Sequence, residues 1–91
     1  MDERHVVVTT EWRGVFFGRL AAYDKDKRRC TLADVRCALY WSTETKGFLG
    51  LSQTGPISDS RISQTAPKIE LHGVTSVVDC TEKAVEAWKA F

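Results

Sequence analysis

Only three cysteines, Cys30, Cys37 and Cys80, occur in 91 residues, and no two of them share a CxxC spacing. An odd number so placed argues against a disulfide framework and a zinc site, and it fits a reducing compartment. Cys37 and Cys80 fall within apolar alternation and read as small core residues. No apolar run approaches the roughly 18 residues needed to cross a bilayer. The charged start MDERH, followed by a short VVV, is no secretory signal, so the expectation is a cytoplasmic chain without membrane contact. Charge of one sign is also lacking. Thirteen Lys and Arg against twelve Asp and Glu leave +1, so no global field steers the protein toward nucleic acid, and any such role needs a local patch. The two histidines, His5 and His72, have no Cys, Asp or Glu at metal-ligand spacing, which leaves no metal site to propose. With no GxSxG elbow and no SxxK at a helix start, the chain reads as non-enzymatic and cofactor-free.

What is present is β pattern. The chain is expected to be a single domain over 1–91, with one modest core from its 43% apolar residues. Val6 to Thr10 is a β-branched run and predicts a strand. From Val15, Phe16, Gly18, Leu20 and Ala22 share one face and Val15, Phe17, Arg19 and Ala21 the other. Apolar residues on both faces imply a strand covered on two sides, and Gly18 in mid-strand marks a bend or a close backbone approach. The charged run DKDKRR, Asp24 to Arg29, predicts a hairpin tip. In the strand from Cys30 to Trp41, Val35, Cys37 and Leu39 are expected on one face and Arg36, Ala38 and Tyr40 on the other, with a bulge near Ala33 and Asp34. Lys68 to Leu71 and Val74 to Val78 resume β pattern around Gly73. Thr81 caps a helix over about 82–91, with Val85, Trp88 and Phe91 on its apolar stripe. The fold class is mainly β (α+β): a small, strongly bent antiparallel sheet or an SH3-like or Sm-like barrel with one C-terminal helix.

The stretch Lys46 to Pro67, KGFLGLSQTGPISDSRISQTAP, reads as one long ordered loop over 46–67 with its own apolar anchors, and such loops are usually functional. Backbone amides freed at Gly50 and Gly55, the hydroxyls of Ser52, Thr54, Ser58 and Ser60, and the fork of Arg61 are the donor types that wrap a phosphate or carboxylate. Tyr40 and Trp41 end a strand beside this loop and suit stacking on a base. The expected function is therefore a non-enzymatic module binding a nucleotide or other phosphate-bearing ligand, or a short nucleic acid. The alternative is a protein-protein inhibitor or adaptor in which Trp12 joins the loop as a contact. Apolar residues on both strand faces and unhidden edges further predict a homo-oligomer.

Two resemblances add context. VFFGRLAAYDKDKRRCTLADV is similar to the glycine-bent strand and hairpin of Sm-like barrels, and no RNA-binding position is carried over from it. VVVTTEWRGVFFGRL, CALYW, GFLGLSQTGP with SRIS, and LHGVTSVVDCTEKAVEAW together resemble a family of short proteins encoded by tailed phages and prophages. That resemblance implies a viral protein in the cytoplasm of an infected bacterium, acting by binding a nucleotide signal or a host or defence protein. It transfers no catalytic residue.

Overall fold

The computed structural model describes residues 4–11 and 14–91. Among these residues six strands run in chain order: β1 (His5–Thr10), β2 (Val15–Asp24), β3 (Arg29–Tyr40), β4 (Arg61–Ile62), β5 (Ala66–His72) and β6 (Val74–Asp79), with helices α1 (Gly47–Gln53) and α2 (Glu82–Ala90). All pairings are antiparallel, in the order β4-β3-β2-β1-β6, and β5 lies beside β4 on the same edge of β3. Among the described residues β5 and β6 share no ladder, and they join at the kink of Gly73, whose φ of +67° suits glycine. The sheet therefore bends over on itself without closing by hydrogen bonds.

Both faces of this sheet are covered, as the β2 pattern predicts. Val6, Val8, Cys30, Leu32, Val35, Leu71 and Val74 pack inside the bend with Phe16 and Leu20 at their margin. Val7, Val15, Phe17 and Ala38 face the other way, against Leu51 of α1 and Ala84 and Trp88 of α2. Gly18 marks the close approach: a Cβ there would lie 3.0 Å from the Ala33 carbonyl oxygen. Opposite it, β3 carries one extra residue between its partners of Phe17 and Arg19, and Asp34 adopts φ +50° at this bulge. α2 begins where Thr81 accepts a hydrogen bond from the Ala84 amide at 3.1 Å.

The structure corrects four details. The 46–67 stretch is not one loop, because α1, β4 and the first residues of β5 lie within it. Its glycines hid the helix. Gly50 is there because any side chain would overlap the Thr45 carbonyl oxygen, a tertiary demand that outweighs helix propensity. Leu39 is 65% exposed, since the last β2–β3 pair is Phe16 with Cys37 and the inner core ends there. Cys80 packs half-buried against the outer core as expected, but Cys37 is only half-buried, and the fully buried cysteine is Cys30. Phe91 follows the last turn of α2 and is 42% exposed, while Val85 and Trp88 do pack on the sheet.

Candidate basic hollow beside the Phe17 stack

Alternation places Phe17 and Arg19 of β2 and Arg36 of β3 on the sheet face that α2 covers. Phe17 is 2% exposed and lies nearly parallel to Trp88, at 4.9 Å between ring centroids and 4° between planes. His5 stacks on Phe17 as well, at 5.7 Å and 15°. Beside this column opens a hollow of about 190 Å³ lined by His5, Phe17, Arg19, Asp34, Arg36, Thr65 and Lys89. Among the described residues, Arg19, Arg36 and Lys89 line it together with Asp34, which is held 3.5 Å from the Arg19 guanidinium.

Arg36 organises the hollow. Its Nε donates to the Ser63 carbonyl oxygen at 3.0 Å and its Nη1 to the Trp88 carbonyl oxygen at 2.6 Å. The second bond caps the C-terminal end of α2, whose partial negative charge offsets part of the local positive charge. Among the described residues, no hydrogen bond or ion pair engages Arg36 Nη2, Lys89 Nζ or Thr65 Oγ1. All three belong to residues that line the hollow and are donor types that an anion accepts from. A volume of 190 Å³ falls below the roughly 300 Å³ at which whole-molecule pockets begin, so the hollow suits a phosphate or carboxylate group with the rest of its molecule outside. Phe17 offers no ring face to a base, because its own column buries it.

The residues expected to bind a ligand do not converge. Ser52 is fully buried, and its hydroxyl donates to the Leu49 carbonyl oxygen at 2.7 Å. Gly50 supports α1 against Thr45, and Gly55, at φ +81°, is buried where a Cβ would lie 2.5 Å from Ala87 Cβ. The exposed Thr54 donates its hydroxyl to the Gly50 carbonyl oxygen at 3.1 Å, and Ser60 Oγ accepts from the Ile57 amide at 3.2 Å. Ser58 is exposed. Trp41 packs at the margin of the outer core. Tyr40 and Arg61 do meet, as partners across the β3–β4 ladder, and line an open depression with Leu39 and Asp59. Trp12 lies outside the described residues.

Sequence reading missed Arg19, Arg36, Thr65 and Lys89, which lie 70 residues apart at the extremes. The available signal was that Arg19 and Arg36 interrupt outer faces otherwise apolar. The thiols lie outside the hollow. Burial pushes Cys30 and Cys37 up, and burial with the neighbouring Asp79 charge pushes Cys80 up to about 12, so none is a ready nucleophile at neutral pH. No group of His, Cys, Asp and Glu suited to a metal ion occurs among the described residues, and no helix there is long and apolar enough to cross a membrane.

No curated protein and no solved structure matches the chain. A family model described as a domain of unknown function (DUF6948) matches residues 3–88. That span runs from before β1 to the last turn of α2, and on it the chain belongs to the DUF6948 family.

Proposed function

We propose that this chain is a small phage-encoded binding protein of the infected bacterial cytoplasm, not an enzyme, and that it holds the phosphate of a nucleotide or other phosphate-bearing ligand. The observation that carries this reading is that Arg36 and Lys89, with Arg36 Nη2 and Lys89 Nζ unengaged among the described residues, line a hollow sized for one anionic group. Guanidinium and ammonium groups bind and orient anions, and Asp34, the carboxylate that lines the hollow among the described residues, is paired with Arg19. Calorimetric titration with inorganic phosphate, pyrophosphate, mononucleotides and cyclic dinucleotides, at low and raised salt, tests it. Saturable, salt-sensitive binding is expected. Lys89→Ala weakens it roughly ten- to a hundred-fold through one lost charge-assisted contact, and Lys83→Ala, on the exposed side of α2, leaves it unchanged. Heat from none of these anions overturns the reading, and binding lost in Arg61→Ala but kept in Lys89→Ala moves the site to the β4 depression.

A second reading rests on a different surface. Leu39 and Tyr40 are 65% and 51% exposed beside Arg61 and Asp59, the mix of apolar, aromatic and Arg groups that anchors protein contacts. There the chain would act as an inhibitor or adaptor on a host or defence protein. Recovery of one bacterial protein by the wild type and not by Tyr40→Ala supports it.

A further inference from the structure

β5 is an edge strand whose outer side has no ladder partner among the described residues. Unpaired edges invite another strand, and chains commonly guard them with proline and lysine. β5 has both, in Pro67 and Lys68, yet its charges do more than repel. Lys68 and Glu70 are exposed, lie on one face of the strand, and flank the half-buried Ile69. Neither takes part in an ion pair or side-chain hydrogen bond among the described residues.

We propose that a second copy of this chain pairs with the outer edge of β5, antiparallel about a two-fold axis at Ile69. A two-fold perpendicular to the sheet keeps like faces together, so residues equidistant from the axis stand opposite one another. Ile69 then meets Ile69, and each Lys68 stands opposite the partner's Glu70, giving two equivalent opposite-charge pairs on the exposed face. Sliding the axis to Lys68 places lysine on lysine, and sliding it to Glu70 places glutamate on glutamate. The two charges thus select one register and reject its same-face neighbours. A strand of another protein has no built-in reason to match that pattern, whereas a second copy matches it by symmetry. Pro67 lacks an amide hydrogen and can only accept, so it confines the ladder to the centre of the strand. This association buries little surface and sits at the weak end of specific interfaces.

Light scattering and sedimentation on the intact chain at micromolar to millimolar concentration test the pairing. A concentration-dependent approach to twice the 10.2 kDa chain mass is expected. Lys68→Glu and Glu70→Lys each turn both cross-strand pairs into like-charge pairs and weaken the dimer at least roughly tenfold. The double exchange, Lys68→Glu with Glu70→Lys, restores it. Both side chains are exposed, and circular dichroism checks that the fold is kept. Hydrogen exchange gives a second readout: outward amides near Ile69 gain protection as concentration rises. A monomer at millimolar concentration overturns the proposal. So do a dimer indifferent to both reversals, singles that dissociate without rescue by the exchange, and β5 engagement seen only with another protein.

Discussion

Trp88 Nε1 donates to the Leu51 carbonyl oxygen at 3.0 Å across 37 residues of sequence, and the bond is fully buried. It joins α2 to α1, while the same indole stacks on Phe17 of the sheet. One side chain therefore fixes both helices to the outer face. Trp88→Phe keeps most of the stacking area but leaves the Leu51 carbonyl without its donor, at a cost of about 1–3 kcal/mol. Trp88→Ala also removes the ring and costs about 3–5 kcal/mol. Urea unfolding should order the variants that way, with an unchanged denaturant slope if the unfolded ensemble is unaltered.

The two glycines of α1 make opposite demands. Gly47 has φ +73° with open space around it, whereas Gly50 has no room for a side chain beside Thr45. Gly47→Ala should cost about 1–2 kcal/mol for its left-handed backbone. Gly50→Ala forces the turn ahead of α1 apart and should cost more, beyond the ~1–3 kcal/mol typical of overpacking. Thermal melts of the pair check the ranking. Equal losses would mean that the segment preceding α1 yields easily.

Much of this fold is legible in the sequence because strand signals are local. The two-sided apolar pattern of Val15 to Ala22, the bend at Gly18, the bulge at Asp34 and the Thr81 cap each depend on residues close in the chain. The helix α1 is not legible, because Gly50 answers to Thr45 and Gly55 to Ala87, and neither contact has a local signature. The basic hollow is hidden for the same reason. Arg36 reaches Trp88 across 52 residues, and only the fold brings Lys89 beside Arg19. By contrast, the Tyr40 and Arg61 neighbourhood follows from a strand end and the next β residues, and the sequence does bring those two to mind together.

Asp34 offers a way to tune the hollow without disturbing its backbone. It sits at φ +50°, pairs with Arg19 at 3.5 Å, and lies on an exposed bulge. Asparagine tolerates the left-handed region nearly as well as aspartate, and an exposed ion pair contributes only about 0–1 kcal/mol. Asp34→Asn should therefore leave the melting temperature nearly unchanged while removing the negative side chain that lines the hollow among the described residues. Affinity for phosphate should rise several-fold at low salt and converge on the wild type as salt screens the site. A variant that binds anions no better than the wild type at low salt would show that Asp34 does not oppose them.

Cys80 links stability to alkaline pH. Burial, with the adjacent Asp79 carboxylate adding to it, raises this thiol from 9.0 to about 12. The folded state thus holds the proton more tightly than the unfolded chain. Below pH 9 both states are protonated and the contribution to stability is complete. As pH climbs from 9 toward 12, the unfolded thiol ionises first, unfolding gains that ionisation free energy, and stability falls. Cys30 and Cys37 are raised by burial too and act with the same sign. The informative quantity is the difference between wild type and Cys80→Ala. Melting temperatures followed across the alkaline range should show a shallower decline for the variant, with the gap between the two proteins closing as pH rises. Parallel curves would show that the Cys80 thiol is not a source of the alkaline loss.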